Sequence, residues 1–255
     1  MEFDRIYAEV DLGRIEENMK AMKEHLRPGT KMYGVVKTDA YGHGAVPVAR
    51  TIDRFVCGYA VATVDEGLKL RRHGIEKEIL CLGPVSAGRY QECLENDISL
   101  PMFEYRRAKE LSDAAVAEGK TAKIHIAVDT GMSRIGLFPD EGSVETVKEI
   151  AELPALRIAG MFTHFARADE ADKTNAGEQY SRFHAFCDAV KAAGVEVPVC
   201  HCSNSAGIVE MQEMNMDAVR AGITIYGLYP SDEVRKDILT MKPAMALKSF
   251  ITYIK

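Results

Sequence analysis

Short apolar, strand-like runs alternate with helix-like segments along most of this chain, and the gaps between them are short. Counted from Met32, eight strand candidates stand at residues 32–36, 58–61, 78–82, 99–102, 122–128, 157–163, 197–200 and 216–220. Helical patterns fill the intervals, at about 45 onward, 64–73 (stopped by Gly74), 87–94, 104–117, 142–153 and 172–193, with a short one near Ala206. Strands separated by helices of about ten residues or more make a parallel sheet. Eight such units suit an α/β fold of the TIM type, a (β/α)8 barrel with a parallel sheet inside and helices outside. An open dinucleotide-binding sheet lacks its main signal, because no G-x-G-x-x-G follows the first strand. Ahead of the series, residues 7–10 read as a further strand. Asp11 then caps a helix to about Leu26, with Ile15, Met19, Met22 and Leu26 on one face.

The chain has 255 residues, 47% of them hydrophobic, enough for one large core. A net charge of −6 without basic runs disfavours nucleic acid or an anionic membrane as partner. The opening Met1-Glu2-Phe3-Asp4-Arg5 has no apolar signal region and no stretch reaches membrane-span length, so a cytoplasmic protein is expected. Six cysteines without a C-x-x-C pair read as reduced core residues. Cys200-His201-Cys202 is not expected to bind metal, since adjacent strand residues point to opposite faces and no fourth ligand is at hand. After Tyr226 the pattern changes, with Pro230, Ser231 and Pro243 and no clear helix. Residues 245–255 are strand-like and apolar, and an edge of that kind left unpaired invites aggregation. The reading is therefore a barrel domain over 1–240 and the start of a truncated C-terminal β domain over 241–255.

Polar residues gather where the strands end, the face on which barrel enzymes place their chemistry. Lys37 ends one strand, and an ammonium at the end of a buried strand is costly unless paired or neutralised. The ordinary alternative is a lysine that simply reaches solvent. Asp129-Thr130-Gly131-Met132-Ser133-Arg134 follows a second strand and Thr163-His164-Phe165 ends a third. Asn204-Ser205-Ala206-Gly207 follows a fourth, and Arg220-Ala221-Gly222-Ile223 ends the last. Lysine can form an imine with an aldehyde. Gly222-Ile223 and Asn204-Ser205 offer backbone N–H groups and a hydroxyl suited to a phosphate. Arg134 and Arg220 are cations that donate and cannot accept. His164 could lie against an aromatic ring or be a hydrogen-bonded core histidine. Pyridoxal phosphate satisfies all these roles together.

The motifs Val-Val-Lys37-Thr-Asp-Ala-Tyr41-Gly-His-Gly, Val128-Asp-Thr-Gly-Met-Ser-Arg134-Ile-Gly, Thr-His164-Phe, Asn204-Ser205-Ala-Gly and Val219-Arg220-Ala-Gly222-Ile223-Thr-Ile-Tyr-Gly, in this order, resemble the alanine racemase family. The resemblance implies a pyridoxal 5'-phosphate enzyme that interconverts L- and D-alanine for peptidoglycan synthesis. Lys37 would carry the cofactor and act as one of two catalytic bases, on the D-alanine face. Tyr41, Asn204, Ser205, Gly222 and Ile223 would bind the cofactor, mostly at its phosphate. Arg220 would donate to the pyridine nitrogen, and His164 would pack near the ring. Arg134 would orient the phenolic oxygen and the substrate carboxylate.

Two departures from the family pattern stand out. Ala127 occupies the place of a lysine, sometimes carbamylated, that positions the arginine, so Arg134 is expected to need another anion, a chloride or a neighbouring carboxylate. The family's second base is a tyrosine of a C-terminal domain, supplied by the partner in a homodimer. Tyr253 does not fit that motif, so this chain is expected to bind the cofactor with little or no turnover. Rival readings are a non-catalytic pyridoxal-phosphate carrier barrel and a serine racemase. A third is an aspartic protease, suggested by Asp129-Thr130-Gly131 but lacking the second aspartate that such enzymes pair with the first.

Overall fold

Two strands stand outside the main sheet and eight close upon themselves. The structure, a computed structural model, describes residues 5–255, so residues 1–4 of the segment read for a signal lie outside the described residues. β1 (Ile6–Val10) leads into a helix over Leu12–His25, which Asp11 caps by accepting the Arg14 N–H at 3.1 Å. That helix buries Ile15, Met19 and Met22 as its spacing requires. The barrel then follows as β2 (Lys31–Val35), β3 (Gly58–Val61), β4 (Glu78–Cys81), β5 (Ile98–Met102), β6 (Ala122–Ala127), β7 (Leu156–Phe162), β8 (Cys200–His201) and β9 (Ala218–Ala221). All neighbours are parallel, and β2 closes on β9 through the register Lys31↔Ala218 to Gly34↔Ala221. Helices cover the outside, so the strands bury both faces and read as nearly continuous apolar runs.

Most expected strand boundaries shift by a residue or two, β9 for example to Ala218–Ala221, and two of the shifts have a visible cause. The ladder of β2 stops at Val35, one residue before the expected end, although the Val36 N–H still reaches the Ala60 carbonyl at 3.0 Å. β8 is only two residues long and begins where 197–200 was expected to end. Pro198 has no N–H for a ladder, and the Cys200 N–H bonds the Asp217 carboxylate at 2.8 Å rather than a neighbouring strand.

The tail finds a partner that the sequence did not disclose. β10 (Met245–Ser249) pairs antiparallel with β1, from Ile6↔Ser249 to Val10↔Met245. Apolar side chains remain exposed around it, Leu247 at 74%, Ile251 at 81% and Ile254 at 80%. Among the described residues no helix is long and apolar enough to cross a membrane.

The main apolar core lies between the strands and the helices. The barrel interior is different, because its middle holds Tyr33, Glu78, Ser99, His125, His201 and Arg220, bonded to one another across the sheet. Two strand glycines make room for them. A Cβ on Gly160 would fall 2.6 Å from His125 Nδ1 and 2.8 Å from the Val199 carbonyl. One on Gly58 would fall 2.8 Å from the Glu78 carbonyl oxygen and 3.0 Å from the Tyr33 ring. Gly160→Ala should therefore destabilise the chain by about 1–3 kcal/mol in urea unfolding, the usual penalty for overpacking a core. Unchanged stability would show that the His125 ring does not sit against β7.

Candidate active site

The carboxyl ends of the barrel strands open into one cavity of about 530 Å³. Its lining includes Lys37, Tyr41, Arg134, His164, Asn204, Ser205, Arg220, Gly222 and Ile223, every residue singled out from the sequence. Leu82, Met132, Phe162 and Phe165 add apolar wall.

Lys37 is presented by an uncommon piece of backbone. Thr38, Asp39, Ala40 and Tyr41 all have left-handed φ, between 52° and 56°. Each such non-glycine residue costs on the order of 1–2 kcal/mol, so the turn must be held from outside. The Thr38 N–H donates to Glu66 Oε1 at 2.6 Å, and Glu66 Oε2 also accepts the Ala62 N–H at 2.7 Å. Asp39 Oδ1 accepts the Ala45 N–H at 2.9 Å and the Lys69 ammonium at 2.7 Å. Those two bonds, the amide first, hold the Asp39 carboxyl below its ordinary range. The turn puts Lys37 Nζ 5.8 Å from the centre of the Tyr41 ring, which leans on Tyr226 at 5.1 Å.

Arg134 rides a loop that closes on itself after β6. Asp129 N–H bonds the Leu137 carbonyl and Leu137 N–H bonds that of Ala127, at 2.8 and 2.9 Å. Asp129 Oδ1 accepts the Gly131 and Ser133 amides at 3.0 and 2.9 Å, so this aspartate shapes a loop, unlike that of a protease pair. Gly136 is required here, because a Cβ on it would meet the Asp129 nitrogen at 2.5 Å. Ala127 is buried and ends β6. Among the described residues no carboxylate makes an ion pair with Arg134, which lines the cavity.

Gln179, which the sequence reading passed over, ties the loop after β7 to this one. It is buried on the helix Thr174–Ala192, donates to Thr130 Oγ1 and the His164 carbonyl, and accepts the Ala166 N–H at 2.8 Å. A lone glutamine on a helix face carries no signal of such a role.

Arg220 is the buried cation of the site, only 3% exposed. Nη1 donates to His201 Nδ1 at 2.7 Å and to the His201 carbonyl at 3.2 Å. Nη2 donates to the carbonyls of Thr163 and Cys202 at 2.8 and 3.0 Å, with His164 Nδ1 at 3.2 Å. No acceptor among the described residues takes its Nε–H. Burial pulls Arg220 down to about 10, where it is still protonated at neutral pH. Burial, then Arg220, Arg134 and Lys37, push His164 down to about 3, so it is a neutral acceptor. Burial and Arg220 likewise drive His201 well below the ordinary imidazole range. Thus His201 bonds Arg220 inside the barrel, while Cys202 Sγ turns to the Met214 carbonyl at 3.0 Å.

The opposite wall has the chemistry of an anion cradle. Ser205 Oγ accepts from Gly222 N–H at 3.1 Å and Thr224 Oγ1 at 3.0 Å, with Thr224 N–H farther off at 3.4 Å, which fills its two lone pairs and leaves its own hydroxyl proton to give away. The Gly222 amide is therefore engaged by Ser205. Gly222 has a second use: a Cβ there would come within 3.5 Å of Ser205 Oγ and 3.7 Å of the Tyr41 hydroxyl, filling the cradle. Asn204 contributes its side chain to the fold, capping the helix Ser205–Glu210 by accepting the Gly207 N–H at 3.2 Å.

These shifts set a pH test. The folded His164 binds its proton near 3, against an ordinary value of 6.5. As pH falls through 6.5 the unfolded chain takes up a proton that the native one refuses, so stability is complete above 6.5 and is lost downward. Between pH 6.5 and 5 the wild type should lose up to about 1.4 kcal/mol per pH unit more than His164→Gln in urea unfolding. Parallel slopes would contradict a neutral His164.

Comparison with known proteins agrees with this geometry. Residues 10–230 match the family model described as alanine racemase, N-terminal domain. The chain is 41% identical over 251 residues to the alanine racemase of Clostridium tetani, spanning 98% of this chain and 65% of that protein. It is 45% identical to the alanine racemase of Clostridium novyi, over 98% of this chain and 65% of that one. Among solved structures, alanine racemase of Clostridium difficile 630 in complex with cycloserine superposes with a TM-score of 0.98 at 39% identity, over all of this chain and 70% of that one. The Bacillus anthracis alanine racemase with bound L-Ala-P gives 0.88 at 37% identity, over 97% of this chain and 64% of that one. The chain thus spans about two thirds of the length of its relatives, and by sequence and fold it belongs to the alanine racemase family through that family's N-terminal domain.

Proposed function

We propose that this chain is the pyridoxal 5'-phosphate-binding barrel of an alanine racemase, and that Lys37 is its base for the α-proton on the D-alanine face. The observation that carries the reading is the convergence of Lys37, His164, Ser205 and Arg220, from different strand ends, on one cavity with an anion cradle and a buried guanidinium. Bound there, the cofactor would supply an electron sink for the charge left at the substrate's Cα.

The chain's own residues divide the remaining work. Lys37 Nζ would hold the cofactor covalently and, once freed by substrate, take or return the proton at Cα. Ser205 and Tyr41 would give hydroxyl protons to the phosphate, with the Ile223 amide beside them. Gly222 serves by lacking a side chain. Arg220 would offer its Nε–H to the pyridine nitrogen, and because arginine stays protonated that nitrogen would remain bare. Arg134 would draw in the substrate carboxylate. His164, neutral, accepts from Arg220 and brings no competing charge to the ring. Between alanine and serine, the relatives' names favour alanine.

No second base on this chain is assigned. Tyr253 is 77% exposed on the tail, and Tyr226 donates its hydroxyl to the Val35 carbonyl at 2.9 Å. We read residues 1–240 as the barrel unit and 241–255 as the start of another, with β10 crossing back to pair with β1 outside the barrel. In full-length form the protein would act as a cytoplasmic homodimer supplying D-alanine for peptidoglycan.

Two experiments test this. Pyridoxal phosphate added to the chain, followed by borohydride and peptide mass spectrometry, should label Lys37 stoichiometrically, and Lys37→Ala should abolish the label. Label scattered over surface lysines would refute the site. With the cofactor present in D2O, D-alanine should exchange its α-proton without net racemisation. Equal exchange by Lys37→Ala would remove Lys37 as the base.

A further inference from the structure

The polar groups inside the barrel form a single file. It begins at Glu78, which opens β4 at the end of the barrel away from the cavity and keeps 23% of its side chain exposed. Glu78 Oε1 stands 3.2 Å from His125 Nε2, His125 Nδ1 stands 3.2 Å from His201 Nε2, and His201 Nδ1 stands 2.7 Å from Arg220 Nη1. The file therefore runs from one mouth of the barrel to the floor of the other.

Hydrogen-bond chemistry orders the protons in it, and both ends, a guanidinium that only donates and a carboxylate that accepts, demand the same order. A guanidinium only donates, so His201 Nδ1 must be bare. A neutral His201 then carries its proton on Nε2, aimed at His125 Nδ1, which must be bare in turn. His125 is left with its proton on Nε2, aimed at Glu78, and an ionised carboxylate accepts it. Reversing any one ring would face two donors, or two acceptors, across a buried gap, at a cost of about 1–3 kcal/mol.

We propose that Glu78 and His125 are positioning residues for Arg220: the carboxylate sets the His125 tautomer, His125 sets that of His201, and a bare nitrogen is thereby always presented to the guanidinium. The inference rests on the reading of the cavity as a pyridoxal-phosphate site only for what the Arg220 Nε–H meets; the proton order needs no cofactor.

Three observations beyond the distances support it. Glu78 is itself held: Ser99 donates to Oε1 at 2.9 Å and the Tyr33 hydroxyl to Oε2 at 2.7 Å. Burial alone would raise its carboxyl, but three donors aimed at it, from His125, Tyr33 and Ser99, favour the ionised form and turn the shift downward, so it is an acceptor at neutral pH. Gly160 and Gly58 leave room for the His125 and Tyr33 rings that an ordinary strand residue would fill. Finally, the interior of such a barrel is normally packed with branched apolar side chains, and an apolar layer would avoid the desolvation cost of a buried carboxylate.

The test is the ring-nitrogen NMR spectrum of the 15N-histidine-labelled chain, with the Arg220 side-chain N–H followed in a uniformly labelled sample. In the wild type, His125 and His201 should both be neutral with the proton on Nε2. Glu78→Gln keeps an acceptor oxygen and should preserve both tautomers. Glu78→Leu should mix the tautomers at both rings and speed solvent exchange of the Arg220 Nη1 protons, which face His201, about tenfold, the effect of losing one buried hydrogen bond. A proton on Nδ1 of either ring in the wild type would overturn the proposal without recourse to any variant. So would a folded Glu78→Leu that keeps both tautomers. Failure of borohydride labelling at Lys37 with these tautomers intact would count against the cofactor reading and leave the file standing.

Discussion

A guanidinium buried at the floor of a barrel, paired with no carboxylate among the described residues, is the constraint around which the site is arranged. Removing such a charge from water is tolerable only when most of its donors are taken. Carbonyls of Thr163, His201 and Cys202 and the nitrogens of His164 and His201 do this for Arg220. The consequence runs outward. Two imidazoles next to a fixed cation are kept neutral, and the cavity they floor is lined by Lys37, Arg134 and Arg220, with Asp169 its one acidic residue among the described lining. Such a cavity is electrostatically matched to an anionic ligand.

The second constraint is conformational. Lys37 reaches the cavity because four successive residues turn left-handed just after it, and Glu66 and Asp39 hold them there. Glu66 also closes the capping box of the helix Val64–Arg72 with Thr63, so one carboxylate stabilises a helix start and the strained turn together. Strain of this kind persists only where the surroundings over-determine it, and it clusters at functional sites.

How much of this could be read from the sequence depended on whether the signal was local. The barrel was legible, since alternation of strand and helix patterns is a property of neighbouring residues, and so were the polar strand ends. The left-handed turn was not: Thr38-Asp39-Ala40-Tyr41 contains no glycine, and the sequence suggested only a loop. Glu78 and His125 were missed because their inward direction depends on a register that exists only once β2 meets β9. His201 was noticed for its flanking cysteines, whereas its partner lies 19 residues on, across a strand pair. The tail looked like an unpaired edge because β1, its partner, lies at the other end of the chain. Asn204 and Gly222 were found as cavity residues, but their observed bonds serve the helix cap and Ser205.

The most direct test of the central claim, that Arg220 is a cation held ready with one donor free, is a crystal structure of the chain with pyridoxal phosphate. The account predicts the pyridine nitrogen within hydrogen-bond distance of Arg220 Nε, with the guanidinium still bound to His201 and His164 and the phosphate beside Ser205 and Tyr41. A ring nitrogen facing any other group, or an Arg220 turned away from His201 to meet the ligand, would contradict it.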